Sequence, residues 1–298
     1  MTSSVGQMAD LQMAEPQLVG VRLAAVDAFT STPMAGNGAT VALLPGPAAA
    51  GWMQALAAEL QQSETAFLWQ DGGAWRLRWF TPSCEVRLCG HATLGAALAL
   101  HHWGELPTGK PLALHSRSGP LRVELTTATQ VSLDLPSAGL RARPGEPWME
   151  ALFGCPPLGQ WHSELGYGVV LLPDEYPLGS LDPGASPWVE GPDRAWVLMQ
   201  AAKPPYDYQL RFFGPRMGIR EDPVTGSAHA LVAPFWCQRL GKEVVAGWQP
   251  SHRPGGMGCQ PLDSGMIRII GEGIHLWAGL MPWPPELASA KEWRFSDA

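Results

Sequence analysis

The sequence has no long apolar run and no basic leader. No stretch approaches the ~20 uninterrupted apolar residues that a membrane-spanning helix needs. The first 18 residues lack the positively charged start and the apolar run of a secretory signal. We therefore expect a soluble, cytoplasmic protein that makes no membrane contact, and we interpret residues 1–18 as a disordered tail.

Cysteine and basic residues are sparse as well. The cysteines are an odd set of five without a C-x-x-C pair, which argues against a disulfide framework and against a structural zinc site. The net charge is −7, from 20 Lys and Arg against 27 Asp and Glu, so the chain offers no basic field for a nucleic-acid backbone. We expect reduced thiols and a small-molecule partner, and we predict neither nucleic-acid binding nor a metal ion.

The chain is long enough for two domains and contains an internal repeat. Its 298 residues are 46% hydrophobic, which supports a core in each half. An F-T-P segment at 80–82 precedes Gly90, an F-G-P segment at 213–215 precedes Gly226, and the two glycines lie 136 positions apart. We place the domains at residues 19–135 and 136–298, related by a pseudo-two-fold axis, with a last strand that can return to the first domain.

Hydrophobic periodicity predicts a mixture of strands and helices. The predicted helices are at 48–61, 92–100 and 228–240, and the predicted strands are at 19–29, 40–44, 65–69, 75–80, around 86–88, and at 112–116, 121–125, 131–135, 167–172, 195–199 and 208–213. The D-G-G sequence at 71–73 indicates a β-hairpin. The helix at 92–100 is almost wholly apolar and must be buried on every side. Residues 135–147 contain Pro and Gly and are interpreted as a linker.

Two glycine turns, at Gly90 and Gly226, each lead from a strand-like segment into an alanine-rich helix. Unpaired backbone N–H groups at a helix start, together with the positive end of the helix dipole, make an anion site that glycine lets a ligand approach. If both starts meet at one cleft between the domains, they would hold one carboxylate. A site of that kind acidifies a C–H bond beside the carboxylate.

Three side chains near these features are candidates for proton transfer. Burial among apolar neighbours would raise the pKa of Glu64 and make it a general base, and an ordinary exposed glutamate is the alternative. His91 follows Gly90, where the helix dipole would favour the neutral imidazole, and a hydrogen-bonded cap is the alternative. Cys89 is a candidate thiolate at the same helix start, but we favour a small core residue.

The second glycine turn has an acid and a hydroxyl of its own. Asp222 precedes a proline, and Ser227 stands at the helix start, where its hydroxyl either bonds a ligand or caps the helix. The surrounding T-G-S-A-H is not G-x-S-x-G, and no Walker or G-x-G-x-x-G pattern precedes a helix. A nucleophile elbow and a phosphate-binding loop are therefore unsupported.

Over most of its length, the chain resembles the PhzF-like (phenazine biosynthesis) family, which is related to diaminopimelate epimerase. The resemblance rests on V-D-A-F-T at 26–30 to G-N-G at 36–38, S-E-T-A-F at 63–67, R-W-F-T-P at 78–82 to E-V-R-L-C-G-H-A-T at 85–93, and G-I-R-E-D-P-V-T-G-S-A-H at 218–229. Two departures bear on the substrate more than on the reaction: Gly38 replaces a usual proline, and the glutamine-to-glycine segment at 249–256 has an extra proline.

The resemblance implies an α+β fold of two pseudo-symmetric domains, each a barrel-like, mostly antiparallel sheet around a central helix. It also implies a homodimer and cofactor-free isomerisation by proton transfer. Glu64 would take a proton from carbon and return it elsewhere on the same face of the substrate. The groups that would orient the substrate and assist the transfer are His91, Asp222 and Ser227. The substrate carboxylate would be bound by Asn37 and by the backbone N–H groups near Gly90 and Gly226.

Two other functions stay open. The epimerase relatives use a cysteine at each glycine turn, whereas here Cys89 precedes Gly90 but Thr225 precedes Gly226. Two-thiol racemisation therefore lacks its second acid, and the mechanism with Glu64 is preferred. An amino- or hydroxy-acid epimerase that uses Cys89 is one alternative, and a non-catalytic metabolite-binding protein of the same fold is the other.

Overall fold

The computed structural model describes residues 20–182 and 193–282, so the predicted tail at 1–18 lies outside the described residues. The helices in the described part are α1 (Ala50–Leu60), α2 (Gly90–His102), α3 (Pro147–Phe153) and α4 (Gly226–Leu240). Among residues 20–182 and 193–282, no helix combines the length and the apolar character needed to cross a membrane.

The strands of the first half are β1 (Val21–Ala28), β2 (Asn37–Leu43), β3 (Glu64–Asp71), β4 (Ala74–Phe80), β5 (Glu85–Val86), β6 (Leu112–Ser116), β7 (Gly119–Leu125) and β8 (Gln130–Pro136). Those that follow are β9 (Leu140–Ala142), β10 (Gly159–Ser163), β11 (Tyr167–Leu171), β12 (Ala195–Ala201), β13 (Tyr208–Gly214), β14 (Ile219–Asp222), β15 (Val245–Gln249), β16 (Gly255–Pro261) and β17 (Met266–Met281). Each helix and strand that the sequence predicts is present, with ends that differ by a few residues.

The same pairing pattern occurs twice in the sheet. In the first half, β2 is parallel to β3, β3 and β4 form the predicted hairpin, β4 is parallel to β6, and β6, β7 and β8 are antiparallel neighbours. In the second half, β11 is parallel to β12, β12 is antiparallel to β13, β13 is parallel to β15, and β15, β16 and β17 are antiparallel neighbours. This repetition is the pseudo-symmetry that the sequence predicts.

The two halves share strands. Seven strands of the first half and β17 of the second pair in a closed ring of eight, from β1 through β2, β3, β4, β6, β7 and β8 to β17 and back to β1. Residues 266–272 of β17 pair with β8 and residues 273–281 pair with β1, while β9 pairs with β10. The domain boundary after residue 135 stays a prediction, because β8 itself spans that position.

A helix lies inside each half. Helix α2 packs against β1, β2, β3, β7, β8 and β17, and residues 91–100 are all buried, as its apolar sequence requires. A Cβ atom at Gly95 would come within 2.4 Å of Cγ2 of Val26 in β1, so only glycine allows this close helix-to-sheet approach. Helix α4 packs against β8, β13, β15, β16 and β17.

The predicted linker at residues 135–147 is wrong as a structural description. The segment contains the end of β8, the whole of β9 and the first residue of α3. Two of its three prolines mark element ends, since Pro136 ends β8 and Pro147 begins α3, where a missing N–H is tolerated, and Pro144 lies between β9 and α3. Strand β9 has only three residues and is held by tertiary pairing with β10, which no local pattern reveals.

Candidate functional site

The two glycine turns meet face to face at the starts of α2 and α4. A Cβ atom on Gly90 would lie 3.6 Å from Cα of Gly226, and one on Gly226 would lie 3.7 Å from Cα of Gly90. The N-cap residues of both helices are extended and make no side-chain cap. Within the described part of the chain, the first two N–H groups of each helix have no hydrogen-bond partner. Two uncapped helix starts therefore share one site, which suits an anion.

Glu64 is the first residue of β3, and its side chain reaches the start of α2. The side chain is only 13% exposed, so Glu64 is not an ordinary surface glutamate. One carboxylate oxygen, Oε2, lies 3.0 Å from Nε2 of His91, the second residue of α2. The parallel pairing of β3 with β2, which sets Glu64 opposite Ala39, fixes this position from the sheet side.

His91 is buried and has a partner at each ring nitrogen. Its Nε2 lies 3.0 Å from Glu64 and 3.1 Å from the hydroxyl of Ser63. Its Nδ1 lies 3.4 Å from Sγ of Cys89 and 3.2 Å from the side-chain nitrogen of Asn37. A doubly protonated imidazole can donate from Nε2 to the Glu64 carboxylate and from Nδ1 to the Cys89 sulfur.

The protonation states of this pair are the reverse of those that the sequence suggests. Burial opposes the carboxylate of Glu64, but the charge of His91 and hydrogen bonds from His91 and Ser63 outweigh it, so the pKa of Glu64 lies below its usual value. Burial also opposes a charged His91, but its interactions with Cys89 and Glu64 raise its pKa well above the usual value. The expected raised pKa of Glu64 and neutral His91 are wrong, because a buried ion pair outweighs both desolvation and the helix dipole.

Asp222 and Asn37 connect the two halves beside the ion pair. The Asn37 amide nitrogen donates to Oδ1 of Asp222 at 2.7 Å and to the carbonyl of Val224 at 3.0 Å. The hydroxyl of Thr225 donates to Oδ2 of Asp222 at 2.6 Å. Burial raises the pKa of the Asp222 carboxyl, and the charge of nearby Glu64 adds to the effect. The turn before α4 is therefore tied to β2 of the first half.

The structure places six of the seven predicted site residues in one cluster: Asn37, Glu64, Gly90, His91, Asp222 and Gly226. Ser227 is the second residue of α4 and partly exposed, and its hydroxyl has no hydrogen-bond partner within residues 20–182 and 193–282. The sequence predicts that these residues lie near one cleft, and the contacts between them come from the fold.

Two further residues of the cluster were missed. Ser63 directly precedes Glu64 in the chain, and its hydroxyl contacts His91. Its position next to Glu64 is the sequence feature that could have identified it. Gln249 is fully buried at the end of β15, donates to the carbonyl of Asp222 at 2.5 Å and accepts the N–H of Thr225 at 3.0 Å. Gln249 begins the glutamine-to-glycine segment, but no local pattern predicts that its side chain hydrogen-bonds to both Asp222 and Thr225 in the turn before α4.

One group of side chains in the described part could hold a metal ion. Donor atoms of Glu64, Cys89 and His91 all lie within 4.8 Å of one another. The thiol of Cys89 is buried, and burial together with the charge of Glu64 raises its pKa, so it is a thiol rather than a thiolate at neutral pH. That state fits the interpretation of Cys89 as a core residue better than a role as a nucleophile.

The ion pair predicts a measurable pH behaviour of His91. In Glu64→Gln we expect the pKa of His91 to fall, because the amide removes the opposing charge while burial stays. Proton NMR of the imidazole Cε1–H over a pH series measures this shift, and Glu59→Gln on the exposed side of α1 is the matched control. If His91 titrates at the same pH in Glu64→Gln and in the native protein, the ion pair is not what sets its pKa.

The Glu64–His91 ion pair also makes the stability of the protein depend on pH in a predictable direction. The contribution of Glu64, whose pKa is lowered, is lost as the pH falls through its value in the folded protein, and that of His91, whose pKa is raised, is lost as the pH rises through its own. The pair is therefore most stabilising between about pH 4.5 and 6.5, the ordinary pKa values of the two groups. Urea unfolding measures the free energy of unfolding of the native protein and of Glu64→Gln. The difference between the two values should be largest in this window and smaller at pH values above the raised pKa of His91.

The chain is similar to known proteins of one family. A family model described as phenazine biosynthesis-like protein matches residues 26–152 and 157–260. An uncharacterised isomerase of Pseudomonas aeruginosa is 40% identical over 257 residues, covering 85% of this chain and 95% of the relative. Both the family model and this relative span the two glycine turns.

Solved structures give the same result for the fold. A PhzF-family phenazine biosynthesis protein of Enterococcus faecalis superposes with a TM-score of 0.80 at 31% identity, covering 88% of this chain and 99% of that one. A predicted epimerase of Pseudomonas aeruginosa superposes with a TM-score of 0.68 at 25% identity, covering 87% and 98%. The α+β fold of two pseudo-symmetric, barrel-like halves is confirmed.

Proposed function

The chain belongs to the PhzC-PhzF family of phenazine biosynthesis-like proteins and is an isomerase, and from this premise we propose that it moves a proton on a small, carboxylate-bearing metabolite without a cofactor. The observation that carries the proposal is the Glu64 carboxylate, 3.0 Å from His91, at the place where two uncapped helix starts meet. This arrangement combines a base with an anion site for the substrate.

Glu64 is the base in this proposal. Its lowered pKa keeps it ionised, so it can accept the proton of a C–H bond beside the substrate carboxylate. The C–H electrons move into the substrate as an enolate-like charge, and protonated Glu64 returns the proton to another carbon of the same face. The number of protons and electrons on the substrate is unchanged, as an isomerisation requires.

His91 supports this transfer as a fixed positive charge. Before the reaction its imidazolium pairs with Glu64. Once Glu64 is protonated, the negative charge lies on the substrate instead of on Glu64. The His91 imidazolium then stabilises that charge on the substrate. Gly90 and Gly226 lie beside each other where the two helices start, and preorganised N–H donors at such a place supply much of the rate enhancement in such sites.

The remaining predicted residues position the substrate. The free hydroxyl of Ser227 at the start of α4 is available to a substrate oxygen. Asn37 donates hydrogen bonds to Asp222 and to the Val224 carbonyl, so in this proposal these residues mainly hold the two helix starts together. Because burial raises the pKa of Asp222, its carboxyl holds a proton more readily than an ordinary aspartate and can assist the transfer by Glu64.

A screen in deuterated water tests the proposal. The full chain is incubated with a panel of small cyclic and unsaturated carboxylic acids and followed by proton NMR. We expect one class of acid to be converted to an isomer that carries deuterium, either from the solvent or from a labelled substrate carbon, at the carbon that gains the proton. Conversion that requires an added redox cofactor would contradict the proposal, and tight binding of an acid without any conversion would favour the non-catalytic alternative.

The epimerase alternative has one observation in its favour, the Cys89 sulfur 3.4 Å from His91. Against it, the pKa of Cys89 is raised, and the hydroxyl of Thr225 at the second turn is bonded to Asp222. Loss of α-proton exchange in Cys89→Ser, with retention in Glu64→Gln, would favour an epimerase.

A further inference from the structure

The β1–β2 loop, residues 29–36, has a backbone conformation that its own residues do not favour. Phe29 and Met34 have φ values of 63° and 65°, in the left-handed region that residues other than glycine rarely adopt. Gly36 has a φ of 63°, and a Cβ atom there would lie 2.3 Å from the carbonyl oxygen of Ala28. Strained residues keep such a conformation only where surrounding contacts fix it. The loop therefore depends on partners outside itself.

Arg253, in the second half of the chain, supplies these contacts. Its guanidinium donates to Oδ1 of Asp27 at 2.6 Å and to the carbonyls of Ala35 and Gly36, both at 3.0 Å. The other carboxylate oxygen of Asp27 accepts the N–H of Met34 at 2.8 Å. The Asp27 side chain is only 2% exposed, so water does not compete for this pair on the carboxylate side. The Arg253–Asp27 pair thus holds three consecutive residues at the end of the loop.

Backbone hydrogen bonds join the same two segments. The N–H of Gly36 donates to the carbonyl of Pro254 at 3.0 Å. The N–H of Gly256 donates to the carbonyl of Phe29, also at 3.0 Å. Together with Arg253, these bonds tie both ends of the β1–β2 loop to one segment of the second half.

Arg253 also connects the two places where the sequence departs from the family pattern. One is Gly38, and the other is the segment at 249–256, which contains Arg253. A Cβ atom on Gly38 would lie 3.8 Å from Nη2 of Arg253 and 3.1 Å from Oε1 of Gln62. A side chain at position 38 would therefore pack against the guanidinium, and the two departures are neighbours in space.

The residue that follows the loop is Asn37. The carbonyl that Arg253 holds at Gly36 belongs to the peptide group directly before Asn37. The Asn37 amide nitrogen lies 2.7 Å from Oδ1 of Asp222 and 3.2 Å from Nδ1 of His91, so it contacts groups beside both helix starts. A displacement of the preceding peptide group would carry this amide with it.

We propose that Arg253 is a positioning residue, which fixes the β1–β2 loop and through it the Asn37 amide between the two helix starts. Its own hydrogen-bond partners are Asp27, Ala35 and Gly36, so it acts on the site through Asn37. The placement of Asn37 stands on geometry alone, while the effect on turnover rests on the proposed function.

Asn37 is the only asparagine in the sequence, which makes a direct test possible. The full chain labelled with ¹⁵N at asparagine gives one backbone N–H signal and the two proton signals of one side-chain amide. In Arg253→Met we expect all three signals to shift, because the loop before Asn37 loses its three guanidinium hydrogen bonds. Where Arg253→Met does not fold, Arg253→Lys is measured instead, since lysine keeps the charge opposite Asp27 but lacks the planar fork.

Arg268 provides the matched control. It forms a two-pronged pair with Asp134 at 2.8 and 2.9 Å, and its side chain is 30% exposed, as is that of Arg253. Arg268→Met removes an equivalent ion pair and should leave the Asn37 signals at their native positions. Unshifted Asn37 signals in a folded Arg253→Met, or the same shift in Arg268→Met, would overturn the proposal.

Turnover gives a second measurement once an isomerised acid is in hand. Arg253→Met should lower kcat/KM by about 10²-fold, the effect that a misplacement of about 1 Å can have. In an Asn37→Ala background the same substitution should lower kcat/KM by less than about threefold, because residues that act through one another are not additive. An equal loss in both backgrounds would contradict a route through Asn37.

The two measurements keep the proposals apart. If no acid is ever turned over, the Asn37 spectra still decide whether Arg253 positions Asn37. If turnover is found and the spectra of the native protein and Arg253→Met coincide, the positioning role alone is wrong and the proposed isomerase stands.

Discussion

Replacing Glu64 with glutamine should abolish turnover, lowering kcat by about 10²–10⁴-fold, the range that general acid–base groups contribute. The amide has nearly the shape of the carboxylate but cannot accept a proton from carbon. The effect should fall on kcat and leave KM within a few-fold, because the substitution leaves the proposed anion site at the helix starts untouched. Initial rates on the acid identified in the deuterium screen, measured by NMR, give both constants.

The control for this variant is Glu59→Gln, which makes the same chemical change on an exposed residue of α1. It should keep native kcat and KM. Circular dichroism and thermal unfolding of Glu64→Gln must show a folded protein, so that lost turnover is not lost structure. Turnover within about threefold of native in a folded Glu64→Gln would remove Glu64 from the mechanism.

Replacing Arg211 with methionine should destabilise the protein by about 3–5 kcal/mol, the cost of leaving one member of a buried ion pair alone. Both side chains of the Arg211–Glu221 pair are 4% exposed. The guanidinium donates to both oxygens of Glu221, at 2.6 and 2.8 Å, and to the carbonyls of Leu178 and Leu181. Its loss would take both guanidinium hydrogen bonds from the buried Glu221 carboxylate and one hydrogen bond from each of the two backbone carbonyls. Urea unfolding measures the change in the free energy of unfolding.

Two comparisons make the Arg211 result specific. The double variant Arg211→Met with Glu221→Met removes both charges and should recover much of the lost stability. Removing Arg141 from its pair with Glu164, where the side chains are 77% and 62% exposed, should change the free energy of unfolding by less than about 1 kcal/mol. A loss below about 1 kcal/mol in Arg211→Met would show that water reaches the buried carboxylate.

The Arg211 pair also bears on the site. Glu221 lies in β14 directly before Asp222, so the pair anchors the strand that carries Asp222 to the turn at Gly226. We therefore expect Arg211→Met, where it is still folded, to lower turnover as well as stability.

Local patterns predicted the elements that their own residues specify. The D-G-G turn has φ values of 58° at Gly72 and 80° at Gly73, which favour glycine, and the hairpin forms around it. The apolar helix at 92–100 had to be buried, and it is. The two glycine turns were found from sequence because both the helix start and the glycine are local features, and the anion site that they would form stays a proposal.

Elements that depend on distant partners were missed. Strand β9 lies in the segment interpreted as a linker, and the short helix α3 and strand β10 follow it. The stability of all three comes from pairing and packing across the molecule. The exchange by which β17 pairs with both β8 and β1 was expected only as an option, since strand partners are set by the whole sheet.

The sequence by itself determined the pseudo-symmetric plan of this protein and the pair of glycine turns, because turn chemistry and periodicity are properties of neighbouring residues. Only the tertiary structure decided the protonation of the site. Glu64 and His91 are 27 positions apart in the chain, and Asn37 and Asp222 are 185 apart. Charges act over a few ångströms, so the pKa values of these groups are fixed only when the fold brings the residues together.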